Sequence, residues 1–172
     1  DIKKFDRIKT KKSKKFKIIF VGRLHPQKGL TYLLDAINLI KNKLKNTEVH
    51  IIGGGELGTE LKQKAKKLGL NKIIKFRGKI YGDDLIKEYK SSHLFVLPSL
   101  YEGQPLTLLE AWAAKLPVIV TNVGGNKDFV INWVNGYLIP PKDINKLAQT
   151  LLVVNNKKLN FMGKRGYDLV KK

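Results

Sequence analysis

The chain has 172 residues, with 34 Lys+Arg against 14 Asp+Glu, a formal charge of +20 and no cysteine. That length suits one domain with a sizeable core, and the missing cysteine excludes disulfide scaffolds, Cys-ligated zinc, iron–sulfur clusters and thiol catalysis. No apolar run approaches the ~20 residues that span a bilayer, and the charged N-terminus does not read as a signal peptide, so the expectation is a cytoplasmic globular protein.

Residues 1–15 are polar and basic and read as a linker or arm. An apolar run at 17–22 ends in Gly22 and predicts a buried strand. Residues 29–40 place Leu30, Leu33, Leu34, Ile37 and Ile40 at helical spacing. Strands are then predicted at 49–53, 72–76, 94–97, 117–120 and 136–139. Helices are predicted at 56–68, 83–90, 105–114 and 143–154, and the polar stretch 157–172 also reads as helical. Asp83 and Asp84 read as the cap of the helix at 83–90. Strand and helix alternate with short connections, which predicts an α/β, doubly wound Rossmann-like domain with a mostly parallel six-stranded sheet. The division is a basic segment at 1–15, the binding domain at 16–155 and a helical tail at 156–172.

In such sheets ligands bind at the carboxyl ends of the strands. Three segments there carry suitable groups. Arg23 follows the first strand directly, and Lys28 stands at the start of the next helix. Two cations beside a helix start suit a phosphate or diphosphate. The second segment runs from Tyr101 to Glu110, with Pro105 at the first helical position. Its following N–H groups, at 106–108, would face the strand ends. Glu110, among Leu106, Leu109, Ala111 and Ala113, needs donors for its oxygens, and ribose hydroxyls are suitable. The third segment is Arg77-Gly78, whose backbone could meet a base. A run of Gly53-Gly54-Gly55-Glu56-Leu57-Gly58 matches a dinucleotide pattern, but no acid stands about 20 residues on. Gly53 reads better as a tight turn permitting close approach. His25, His50 and His93 read as isolated, and a nucleic-acid partner is not expected because basic residues and stacking aromatics do not interleave.

Gly22-Arg23-Leu24 with Lys28-Gly29, Glu102-Gly103 through Glu110-Ala111, Leu116-Pro117-Val118 and Gly124-Gly125 resemble the group 1 (GT4-type) retaining glycosyltransferases of the GT-B fold. The match is to their C-terminal, donor-binding half, over roughly residues 16–155. Glu102 and Glu110 resemble the family's E-x7-E pair. Lys115 stands where the family usually has Gly, and Asp128 where Glu is commoner.

The resemblance implies a donor domain for a nucleoside-diphosphate sugar (UDP-, GDP- or ADP-linked). Arg23, Lys28 and Glu102 would be catalytic: the cations would neutralise the departing diphosphate without a metal or other cofactor, and Glu102 would touch the donor sugar. Gly103, Gln104, Leu106 and Thr107 would contact sugar and phosphate. Glu110 would hold the ribose, Gly22 and Gly53 would admit the donor, and Arg77-Gly78 would meet the base. An acceptor glycan or lipid-linked sugar would bind mainly to an absent N-terminal domain, leaving this piece inactive alone. Peripheral contact with acidic lipid at the inner leaflet is a further expectation. The alternative is a stand-alone basic nucleotide- or anion-binding module.

Overall fold

The computed structural model describes residues 2–155 and 160–171. Six strands form one sheet: β1 (Phe16–Val21), β2 (Thr47–Ile52), β3 (Ile74–Gly78), β4 (Leu94–Leu97), β5 (Val118–Thr121) and β6 (Tyr137–Ile139). Their order is β3-β2-β1-β4-β5-β6, and each neighbouring pair is parallel. Four buried residues in a row in β4, and five in β1, explain why these strands read as continuous apolar runs. A parallel sheet is covered on both faces, so its central strands have no wet side.

The covering helices are α1 (Ile2–Arg7), α2 (Leu30–Ile40), α3 (Gly58–Lys67), α4 (Gly82–Ser91), α5 (Leu106–Ala113), α6 (Asn126–Phe129), α7 (Ile144–Asn155) and α8 (Asn160–Val170). Helix α2 packs on α3 and α7, while α5 packs on α1 and α8. The stripe Leu30, Leu33, Leu34, Ile37 and Ile40 is buried as its spacing required. No helix among the described residues is long and apolar enough to cross a membrane.

Three expectations need correction. Residues 2–7 are a helix docked on the domain instead of an arm. Phe5 is buried, and Lys90 Nζ donates to the carbonyls of Phe5 and Ile8 at 2.7 and 2.5 Å. The C-terminal stretch is helical as read, but it is packed on the domain instead of forming a tail: Met162, Gly163, Gly166 and Tyr167 of α8 are buried. Gly166 is needed because a Cβ there would lie 2.1 Å from Trp112 Cδ1. The expected boundary at 156, and the start of the predicted helix at 157, lie outside the described residues. Finally, Asp83 and Asp84 do not cap α4. The cap position is Tyr81, without a side-chain bond. The two acids sit in the first turn, where Asp83 meets Lys4 and Asp84 meets Lys87, both at 2.8 Å. That placement still favours the helix start electrostatically.

Candidate functional site

The strand order reverses direction between β1 and β4, the position at whose carboxyl edge open parallel sheets bind ligands. The loop after β1 carries Arg23 and ends in a 3-10 turn, Pro26–Lys28. His25 is not idle there: its ring accepts from the Gln27 N–H at 3.2 Å and so caps the turn. Gly29, at φ 65°, lets this loop touch the post-β4 loop, since a Cβ would fall 2.0 Å from the Pro98 carbonyl oxygen. Leu100 N–H donates to Gln27 O at 2.7 Å, and the Gln27 side chain donates to Tyr101 O at 3.1 Å. These bonds hold the two loops in register.

Across that seam Lys28 Nζ meets Glu102 Oε1 at 2.6 Å. Ser99 Oγ donates to the same oxygen at 2.5 Å. Glu102 is buried, with its side chain 5% exposed, while Lys28 keeps 20%. A carboxylate removed from water needs such donors. Ser99 is itself held, because Thr121 Oγ1 donates to its carbonyl at 2.5 Å. Arg23 is exposed and makes no side-chain hydrogen bond or ion pair among the described residues. A free guanidinium therefore stands on the same loop as the paired ammonium.

Neighbouring loops close around this seam. Gly22 N–H donates to Ile52 O at 3.0 Å, and Leu24 N–H to Gly54 O at 2.9 Å. What Gly53 admits is the chain's own backbone: at φ 138°, its Cβ would sit 1.8 Å from the Gly22 carbonyl oxygen. The approach of Gly22 thus requires a glycine at 53. On the other side Gly125 N–H donates to Glu102 O at 2.9 Å, and a Cβ on Gly124 would lie 1.8 Å from that oxygen. The β5 loop therefore braces the Glu102-Gly103 backbone.

The start of α5 differs from the expectation. Pro105 is the cap residue and Leu106 the first helical one. Leu106 N–H is already spent on Gln104 O at 2.9 Å, and Leu108 N–H on Pro105 O at 3.0 Å. Of the three amides, Thr107 N–H remains without a partner among the described residues. Gly103, Gln104 and Leu106 are exposed.

Glu110, half-buried, receives the Tyr89 hydroxyl on Oε2 at 2.9 Å. Tyr89 is fully buried, and burial together with the Glu110 charge raises its pKa well above the ordinary value. It stays a donor and orients the carboxylate, leaving Oε1 free of partners among the described residues. Tyr89 was not singled out in the sequence because it sits on the buried stripe of α4, where an aromatic reads as packing.

Arg77 and Gly78 close β3. Gly78 adopts φ 69°, and its carbonyl accepts from Gly53 N–H at 2.8 Å, so one of its peptide groups is engaged. The Arg77 guanidinium turns to Glu88 at 3.4 Å. Glu88 gathers a second cluster that the sequence did not reveal. Lys17 Nζ lies 2.7 Å and His50 Nδ1 3.0 Å from it. The His50 bond, then Lys17, outweigh the burial penalty and hold the Glu88 carboxyl at about 2. Among the described residues no three His, Cys, Asp or Glu side chains are grouped to hold a metal ion.

A family model for glycosyl transferases group 1 matches residues 1–168. An Escherichia coli UDP-Gal:alpha-D-GlcNAc-diphosphoundecaprenol alpha-1,3-galactosyltransferase is 37% identical over 172 residues, covering 94% of this chain and 44% of that protein. The C-terminal domain of the group 1 glycosyl transferase LpcC from Francisella tularensis superposes with a TM-score of 0.82 at 29% identity, covering 98% of this chain and 90% of that one. A mutant of S. aureus TarM, solved with fondaparinux, alpha-GlcNAc-glycerol and UDP, gives a TM-score of 0.85 at 25% identity, over 94% of this chain and 33% of that one. The chain thus spans less than half the length of the E. coli relative and matches an isolated C-terminal domain almost end to end. It belongs to the group 1 glycosyl transferases.

Proposed function

We propose that this chain is the donor half of a retaining glycosyltransferase, holding a nucleoside-diphosphate sugar on the shelf between the β1 and β4 loops. The observation that carries the reading is the Lys28–Glu102 pair across the switch point, with the unpaired Arg23 beside it. Glycosyl transfer develops negative charge on the departing diphosphate. Arg23 and Lys28 supply positive charge to stabilise it, and that charge needs no metal. Thr107 N–H, near the start of α5, offers a further donor. Glu110 Oε1 takes a ribose hydroxyl while Tyr89 holds the other oxygen. Glu102, locked by Lys28 and Ser99, fixes the loop at Gly103 and Gln104 against the sugar.

Uridine is the base we favour. TarM was solved with UDP, and the E. coli relative is named for UDP-Gal. The acceptor, a glycan or lipid-linked sugar, would meet a second domain closing over the open shelf, so this piece alone binds donor without transferring sugar. Its place would be cytoplasmic, peripheral at an acidic leaflet.

Titration calorimetry with UDP, GDP, ADP and NADH tests the proposal. Binding of UDP, weakened by Arg23→Ala and by Lys28→Met, is the expected result. Tight NADH binding without response to any nucleoside diphosphate would overturn it.

A further inference from the structure

A large cavity among the described residues lies away from the shelf. It lies at the opposite, amino-terminal ends of the strands, with a volume of about 1040 Å³. Phe16 opens β1, His93 precedes β4, and Pro117 precedes β5; all three line it. Five lysines surround it: Lys12, Lys90, Lys115, Lys164 and Lys171. The one carboxylate among the described lining residues is Asp168. A second hollow of about 430 Å³ shares Phe16, His93 and Asn155 with the first and adds Lys14, Lys43 and Lys45. The two make one trough, with the Phe16–His93 ring stack, 5.3 Å between centroids, at their junction.

Part of this charge has an ordinary explanation. Helices α4, α5 and α7 end here, and helix C-termini attract cations. That accounts for Lys12, which donates to Ser92 O just past α4. It also suits Lys90, which serves the carbonyls of Phe5 and Ile8. The nearby Asp6 is occupied by the Tyr167 hydroxyl at 2.7 Å.

Lys115, Lys164 and Lys171 are different. None of their ammonium groups makes an ion pair or a hydrogen bond to a carbonyl among the described residues. Lys115 and Lys171 instead hang over the Tyr167 ring, with Nζ 4.3 and 5.9 Å from its centroid. Lys115 also adopts φ 60°, a left-handed conformation that favours glycine. The left-handed turn closes α5, with Lys115 N–H on Trp112 O and Leu116 N–H on Ala111 O, so folding requires the turn but not a lysine in it. Lys12 is held down to about pKa 8, first by its desolvated position and then by Lys90 and Lys17, so the cations here crowd one another. His93 Nδ1 accepts from Lys17 N–H at 3.0 Å, which leaves its Nε2 for a donor N–H in the neutral ring.

We propose that this trough binds a linear anion carrying several phosphate groups, at a site separate from the nucleotide shelf. An anion supplies the counter-charge that the crowded lysines lack. The elongated double hollow calls for charge distributed along a chain, and a concave floor suits a slender soluble chain better than a flat bilayer.

The test titrates tripolyphosphate and a longer linear polyphosphate into the full chain, with saturating UDP present. Binding is expected to persist with UDP and in the Lys28→Met variant, and to weaken as salt is raised. Lys115→Gly relieves the left-handed strain, so its melting temperature should hold or rise while polyphosphate affinity falls several-fold. The triple variant Lys115→Gly, Lys164→Gln, Lys171→Gln should lose at least tenfold. The charge-matched control changes Lys62, Lys66 and Lys67, exposed on α3, to Gln and should lose much less. Equal losses in control and trough variants would overturn the site, since net charge would then be the cause. So would UDP displacing the polyphosphate, or an absence of binding. Tighter trough-dependent capture by anionic vesicles or single-stranded RNA would overturn the ligand class.

Discussion

Lys17 meets Glu88 at 2.7 Å, and Lys28 meets Glu102 at 2.6 Å. Both pairs join β1 or its loop to an element about 70 residues further on in sequence. Their surroundings differ. Glu88 is ringed by Lys17, His50 and Arg77, and Lys17, with its side chain 6% exposed, gives a second bond to Ser91 Oγ at 2.9 Å. That knot is internally satisfied and fastens α4 under the sheet. Glu102 has Lys28 and Ser99, while Lys28 has only Glu102 and stays 20% exposed at the switch point. A closed polar network specifies structure. A pair whose cation retains free donors at that position is equipped to bind. Geometry within the pair does not distinguish the two roles; the unused valence does.

Breaking the closed knot should cost most. Removing one partner of a buried ion pair costs about 3–5 kcal/mol, so Lys17→Ala should lower urea-unfolding stability by that order while UDP affinity in the folded protein holds. A loss below about 1 kcal/mol would show the knot to be dispensable.

Acid should find the same knot. The Glu88 carboxyl is held near 2, below its ordinary 4.5. A carboxyl with a depressed folded pKa contributes stability that is fully present above the unfolded value and lost as pH falls toward the folded one. The melting temperature should therefore decline between about pH 4.5 and 2, and Glu88→Gln should flatten that decline. Parallel curves for the two proteins would place the acid sensitivity elsewhere.

The open pair should separate stability from binding. Lys28→Met alone strands the Glu102 charge and costs both. The double variant Lys28→Met, Glu102→Gln should regain most of the stability and still bind UDP more weakly. The loss of one charged hydrogen bond is about 1.5–3 kcal/mol, or roughly tenfold to a hundredfold in affinity. Recovery of binding with stability would make Lys28 structural.

The smallest effect tests the ribose contact. Glu110→Ala should weaken UDP by about tenfold, one good hydrogen bond, and leave pyrophosphate affinity unchanged. Tyr89→Phe should give a milder version of the same pattern. An equal loss for both ligands would move Glu110 away from the ribose.

Much of the fold was legible because its cause is local. The stripe of α2 and the apolar runs of β1 and β4 are periodicities that burial enforces, so their bounds fall within a residue or two of the reading. Helix α1 escaped because only Phe5 among its six residues is buried, and one apolar position makes no period. Helix α6, four residues long, is shorter than any pattern can register. Among the candidate groups, Arg23, Lys28, Glu102 and Glu110 were singled out by their place after strands. Tyr89 and the Glu88 knot were not, because their partners are far away in the chain; Ser99 is three residues from Glu102, but a loop serine carries no pattern that shows its hydroxyl turned inward.

Residue order therefore determined the alternation of strand and helix, the loops at the carboxyl ends and the excess of lysine. Only the folded structure decided which lysine meets which glutamate, that Gly53 yields space to Gly22 and that eight lysines ring one trough. Periodicity is a property of neighbours along the chain, whereas charge pairing and close approach are set by contacts that form once the sheet has brought distant segments together.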